Sequence, residues 1–457
     1  MNNNIRNLLV FICAWGASFF IFPDSIFLEH CSFALQILIF YKFLKELSNQ
    51  LSIKNIIAFI AVFQWLFGAI LGYKFSSFIA AEYRMAVSKE IYFGYVFPAT
   101  VAMLIGLYSF SSNINVLERL NKIDFDKAYR KGVILIIIGV VANSLTFLGF
   151  LGFLLNGLKY IGLFYVFFSG HRYRYLWVIG VMGSLFLDSL GMGMFHDLLL
   201  WGTFFLSIFF ITNKSSLMFR TLVICFGIIC AMAIQISKSE IRSKNWNQNE
   251  YSAIKLFTYG LQTITDKFSN TDEFFSDENI GNQVTRLNQG WIIANVMDFI
   301  PSEAPYANGE SVKESIIAAI FPRFIMDTKA KAGGWDNIHR YSSVQINEGT
   351  SMDISQVGEA YANFGVYGGI IMMFLLGLFF GWIINFVEKK SINNPELLLW
   401  LPLLFLQVVK AETSLVTILN HLVKASIVVW IFFTPFIYKY FNMGEHNANS
   451  PKNKRLE

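Results

Sequence analysis

The feature that most constrains this chain is a series of apolar runs, each near the length of a bilayer crossing, interrupted by one long polar segment at 238–363. A helix needs roughly 17–25 residues to cross the hydrocarbon core. Twelve runs fit, at 6–22, 26–44, 54–73, 92–110, 132–150, 154–169, 175–191, 197–212, 219–237, 364–387, 396–412 and 421–440. No single soluble core buries that many such helices. Only 15% of the residues are charged, against about 25% in soluble globular chains. The sequence therefore predicts an all-α polytopic membrane protein. Spans 1–9 fill 1–237, a large external loop fills 238–363, spans 10–12 fill 364–440, and a polar tail fills 441–457.

Length leaves the segment 132–169 open, since it is long for one helix and short for two. A tight hairpin near Gly152–Gly157 resolves it. Charge supports that division. Gaps on one side carry Lys42, Lys45 and Lys54, then Arg119, Lys122, Lys127, Arg130 and Lys131, then Arg172 and Arg174, Lys214 and Arg220, and Lys389 and Lys390. Of the short gaps on the other side, only 74–91 is noticeably basic. The positive-inside rule then makes both termini cytoplasmic and turns the long loop outward. The first apolar stretch lacks a small-x-small cleavage site and reads as an uncleaved span.

Several function classes drop out. The net charge of +5 is explained by the same topological bias. No basic surface with interleaved aromatics suggests nucleic acid. Cys13, Cys31, Cys225 and Cys230 fall in apolar runs, so neither a structural disulfide nor a Cys-based metal site is expected. No P-loop, HExxH or Cys/His metal pattern occurs, and the expectation is an activity without metal or cofactor.

Polarity is concentrated between Arg286 and Gly365. Helical patterning recurs at 251–268, 286–300 and 311–321, and in the second of these Leu287, Trp291, Ala294 and Met297 form one apolar face. Such helices are expected to lie on the membrane surface or to cap a cavity. Arg286, Arg323 and Arg340, with Lys329 and Lys331, supply the cations a pyrophosphate needs, since guanidinium forks bind phosphate bidentately. The same charges would also suit a solvated surface or lipid headgroups. Candidate acids and bases are Glu303, Asp336, His339, Glu348 and Glu359. Glu359 is preferred as the general base because GEAYANFG leads straight into a span, with helix capping as its alternative; His339 comes second. Trp291, Trp335 and Tyr361 are candidates for stacking on sugars, or else ordinary interfacial anchors. Lys410, Glu412, His421 and Lys424 gather at the outer ends of the last two spans, with Asp188 in an earlier one. They are expected to face a polar cavity or to pair with one another.

The dozen spans, the long loop before the last three, and the series RLNQGW, IPSEAPYANGES, FPRFIMDTKAK and VGEAYANFGVYGG resemble Wzy-type O-antigen and exopolysaccharide repeat-unit polymerases. The resemblance is strongest over 284–382. It implies a GT-C-like, metal-independent membrane glycosyltransferase of the bacterial inner membrane, with the loop in the periplasm. Such an enzyme moves a growing glycan from undecaprenyl pyrophosphate to the non-reducing end of a new lipid-linked repeat unit. A chain-length regulator of the Wzz type is an implied partner. Some members carry an Arg followed eleven residues later by Gly, a spacing that Arg323 and Gly334 match and Arg286 does not, since Met297 stands at its eleventh position. Two other activities remain open at this point. An O-antigen ligase would leave long lipid-linked chains unattached when lost, and a lipid-linked oligosaccharide flippase would form no glycosidic bond.

Overall fold

A computed structural model describes residues 3–110, 115–145, 149–192, 195–230, 262, 276–321, 325–326, 328–347, 350, 352–435 and 437. Among them every regular element is helical. Eight helices are long and apolar enough to cross a bilayer: α1 (Asn3–Ile21), α2 (Phe27–Glu46), α3 (Ile53–Lys74), α4 (Lys89–Tyr108), α7 (Gly149–Phe168), α9 (His196–Asn213), α15 (Ser355–Lys390) and α17 (Leu415–Phe432). The other predicted spans fall on α6 (Phe125–Ser144) and α8 (Arg174–Met192). Shorter apolar helices, α10 (Leu217–Cys230) and α16 (Pro395–Phe405), take the remainder. A short helix, α5 (Val116–Leu120), precedes α6. The architecture is that of an all-α polytopic membrane protein.

Segment 132–169 does form two helices, but the turn is not at Gly152–Gly157. Helix α6 ends at Ser144 and α7 starts at Gly149, with only a local break at Gly157. The stretch from Gly149 to Phe168 is 20 residues long, enough to span without borrowing from its neighbour.

Backbone contact fixes the central pair. A Cβ on Gly377 of α15 would lie 2.1 Å from the Met103 carbonyl oxygen of α4, and one on Gly106 would lie 2.4 Å from that of Phe374. In lipid, helices associate through such close approach of small residues rather than through burial from water. Gly377→Ala is therefore expected to force α4 and α15 apart and to destabilise the protein by about 1–3 kcal/mol. The melting temperature in detergent should fall, whereas Gly180→Ala, which meets nothing within 4 Å, should leave it in place.

The loop is folded into this bundle. Helix α11 (Asp277–Leu287) docks where Gly68 of α3 leaves no room for a Cβ, 2.6 Å from the Leu287 carbonyl oxygen. Helix α12 (Gly290–Phe299) packs against α3 and α15. Just before that contact, α3 widens into a π turn at Phe63–Phe67. A π turn diverts carbonyls from the ordinary helical ladder. Here Gln64 accepts from the Gln289 N–H at 3.2 Å, and Trp65 accepts from the Tyr92 hydroxyl at 2.7 Å. The single apolar face expected for 286–300 is thus corrected. The segment breaks at Asn288, and Ile292, Ile293 and Val296 are buried along with Trp291, Ala294 and Met297. A helix enclosed on several sides has no need of a polar face. The predicted helix at 311–321 appears as α13 (Glu310–Ile320). That at 251–268 lies outside the described residues apart from Gln262.

Candidate functional site

Three helix beginnings meet at one carboxylate. Glu359 sits in the second turn of α15 with no exposed surface. Its Oε1 accepts from the Ser311 hydroxyl at 2.7 Å, and its Oε2 accepts from the Leu415 N–H at 2.8 Å. Ser311 lies in the first turn of α13 and Leu415 opens α17. N–H groups in a first helical turn lack intrahelical acceptors, so a carboxylate is the natural partner. Asn363, one turn beyond Glu359, donates to the Ser311 hydroxyl and to the Glu359 carbonyl, each at 2.8 Å, and accepts from the Gly309 N–H at 3.0 Å. Helix α15 then kinks at Gly365, where φ is +63° and the Tyr306 ring stands 3.2 Å from the place of a Cβ. Only glycine meets both demands without strain.

A second buried carboxylate lies just before α15. Asp353 accepts from the Ser414 hydroxyl, from the Ser414 N–H at 3.2 Å, from the Ile354 N–H at 2.9 Å and from Asn337 Nδ2 at 3.3 Å. Burial pushes its carboxyl up, although all of these donors favour the charged form. Asn337 belongs to α14 (Trp335–Tyr341), so Asp353 joins that helix to the start of α17. Gly334, which opens α14, has φ +81°, and a Cβ there would meet the Met352 carbonyl oxygen at 2.0 Å. The glycine spaced eleven residues from Arg323 thus has a packing reason of its own. Arg323 lies outside the described residues.

The exposed chemistry is on α14. His339 Nδ1 lies 2.9 Å from the Trp335 carbonyl oxygen. A carbonyl can only accept, so Nδ1 carries a proton and Nε2 is the ring nitrogen not engaged by the helix backbone. The Trp335 ring, 40% exposed, stands 4.1 Å from the imidazole centroid. Arg340 Nη1 donates to Glu314 Oε2 of α13 at 2.9 Å, with both side chains partly open to solvent. Beside them Tyr341 is only 3% exposed, and its hydroxyl lies against the Arg340 guanidinium. Burial pushes that phenol up while Arg340 opposes the shift, and the charges of Glu314 and Glu359 also reach it.

The remaining sequence-chosen residues divide sharply. Lys331 is exposed. Lys329 is buried and donates to the Ala318 and Phe321 carbonyls, both at 2.7 Å, capping the end of α13. Arg286 is exposed in the last turn of α11, which packs on α3. Trp291 is 4% exposed against Tyr83, and Tyr361 is 7% exposed between Tyr95 and Tyr306. These two rings are interior packing. Helix α13 therefore gathers four of the residues: Glu359 through Ser311, Arg340 through Glu314, Lys329 at its far end, and His339 through Arg340's own helix.

Among the charges at the outer ends of the last spans, the partners come mostly from elsewhere. Lys410 donates to Asp197 at 3.0 Å, His196 lies 3.5 Å from Glu412, and Lys159 lies 3.8 Å from Asp188. Lys424 donates to Asn420 at 3.2 Å, and His421 Nε2 lies 2.8 Å from the Leu403 carbonyl oxygen. A polar cavity lined by Lys42, Glu46, Lys54, Asn55, Tyr108 and Glu388 lies near the opposite end of α15 and shares no residue with the loop site.

Sequence reasoning passes over Ser311, Asn363 and Asp353. Asn363 stands four residues after Glu359, and that spacing puts both on one helix face. This signal was available for Asn363 alone.

Comparison with curated proteins and with solved structures returns no match. A family model described as O-antigen polysaccharide polymerase Wzy matches residues 143–441, about two thirds of the chain. The matched region holds the whole of the site on α13, α14, α15 and α17, and the protein belongs to the O-antigen polysaccharide polymerase Wzy family.

Proposed function

We propose that the protein polymerises undecaprenyl-pyrophosphate-linked repeat units at the periplasmic face of the bacterial inner membrane, with both termini cytoplasmic and without a metal. The observation that carries this reading is α14, where an exposed imidazole, a guanidinium and an exposed indole share one short helix. In the reaction, a hydroxyl oxygen at the non-reducing end of the acceptor attacks the anomeric carbon of the donor glycan. The bond from that carbon to the pyrophosphate oxygen breaks, with inversion. The hydroxyl proton passes to His339 Nε2. The charge appearing on the lipid pyrophosphate is met by Arg340, assisted by Lys331 and Arg286. Arg340 is held by Glu314 and by Tyr341, and its remaining donors would meet phosphate oxygens. Trp335 offers a flat face to a sugar ring. Lys329, Trp291 and Tyr361 act through packing and capping.

In this reading Glu359 holds α13, and through Glu314 it holds Arg340. It would serve as the base only after releasing Ser311 or Leu415. A chain-length regulator of the Wzz type is the proposed partner.

Reconstitution tests the reading. Purified protein in liposomes, given polyprenyl-pyrophosphate-linked repeat units, should yield a ladder of products spaced by one repeat, with or without chelator. Transfer of preformed glycan to another acceptor without a ladder would point to a ligase. Translocation without any new bond would point to a flippase, and either result would overturn the proposal.

A further inference from the structure

We propose that α13 is a re-entrant helix, inserted into the bilayer from the side of the loop, with its outward face covered by the hydrocarbon of the membrane. The geometry begins at Glu359. Ser311 near the start of α13 and Leu415 at the start of α17 donate to the same carboxylate, so the two helices begin side by side. From there α13 packs closely against α17, which is a membrane span. Two helices that start together and stay in contact run in the same direction. Helix α13 therefore descends along the span. Its 11 residues rise about 16 Å, near half of a hydrocarbon core about 30 Å thick.

Composition along the axis fits that path. The polar residues Glu310, Lys313 and Glu314 are at the entrance, and Ile316 to Phe321 are apolar throughout. Across the axis, Ser311, Ser315, Ala318 and Ala319 form the buried face. Small residues of this kind let helices approach closely in lipid. On the outer face Ile316 is 46% exposed and Ile320 61%, and beyond the helix end Phe321 is 41% and Ile325 63% exposed. Leaving this much apolar surface in water is unfavourable by about 25 cal/mol per Å², whereas lipid accepts it freely.

The end of the helix supplies the independent observation. Carbonyls freed at membrane depth have no water to bind, so they must find a donor within the protein. Lys329 provides it, 8% exposed and bonded to the Ala318 and Phe321 carbonyls. The chain then returns to the entrance, where Arg340 of α14 meets Glu314 one turn into α13. The sequence pattern suggests a helix lying on the membrane surface or capping a cavity; the buried lysine and the outward isoleucines are instead the marks of a helix inserted in lipid.

The test uses full-length protein in lipid nanodiscs, with Cys13, Cys31, Cys225 and Cys230 replaced by serine or alanine. Single cysteines are placed at Ile320, Ile325 and, as an aqueous reference, Glu303, which is exposed in the loop. All three positions face outward, so the changes remove little packing. A membrane-impermeant maleimide should label Glu303→Cys and fail at Ile320→Cys and Ile325→Cys. Spin labels at the two isoleucine positions should be relaxed by oxygen but not by a water-soluble nickel chelate. Labelling at Ile320→Cys as fast as at Glu303→Cys would place the face in water and overturn the proposal. Shielding from both oxygen and nickel would mean that protein, such as a second copy of the chain, covers it, and would overturn it equally.

Discussion

Glu359→Ala should lower stability by about 2–6 kcal/mol, because it leaves two buried donors, the Ser311 hydroxyl and the Leu415 N–H, without an acceptor. Each stranded buried donor costs about 1–3 kcal/mol, and the void left by the side chain adds to the loss. The damage should be local at first. Helices α13, α15 and α17 lose their common tie, and α13 carries Glu314 and hence Arg340. Proteolysis between 301 and 345 should therefore accelerate before the spans melt. Glu359→Gln is the informative companion. The amide keeps an acceptor for one donor but turns an NH₂ group towards the other, so its loss should be smaller, about 1–3 kcal/mol. If Glu359 were instead the base, Gln would abolish turnover while the melting temperature stayed close to that of the native protein. An alanine variant that melts with the native protein would remove the anchoring role altogether.

Hydropathy is a local property, and what depends on it was legible. The sequence predicts the membrane class, and every predicted span coincides at least partly with a helix among the described residues. Where tertiary contacts decide, the sequence is silent. The break at Asn288 arises because its side chain accepts from the Gly290 N–H at 2.8 Å while Gly68 of α3 presses on Leu287. Nothing in RLNQGW announces a neighbour more than two hundred residues away. The same limit applies to the candidate site. Glu359 stands out in sequence as an acidic residue at the entrance to a span, but whether it faces substrate or protein depends on Ser311 and Leu415, which are 48 and 56 positions away. Among the aromatics, Trp291, Tyr361 and Trp335 are equivalent as letters. Only packing separates the two interior rings from the exposed one. Lys329 and Lys331 are two residues apart, yet one caps a helix and the other is exposed.

His339→Ala should slow polymerisation by about 10²–10⁴-fold, the range lost with a positioned general base. Arg340→Ala should slow it by about 10²–10³-fold, as the loss of one preorganised donor to a developing charge does elsewhere. Neither change should disturb the fold. Among the described residues His339 is exposed and bonds to the backbone of its own helix, and the Arg340–Glu314 pair is partly exposed, where such a pair contributes about 0–1 kcal/mol. Expression and melting temperature should match the native protein, so the lost activity reads as lost chemistry. Arg340→Lys separates charge from geometry. A lysine keeps the positive charge but not the planar fork, so recovery should be partial if bidentate phosphate contact matters. The double variant should lose less than the product of the two single losses, because both residues act on one transition state. Glu314→Gln frees Arg340 from its partner without removing the guanidinium, and a modest effect there would show that positioning is secondary to charge. Native rates of ladder formation in His339→Ala and in Arg340→Ala would take the reaction off α14 and return the question to Arg286, Arg323 and the carboxylate at Glu359.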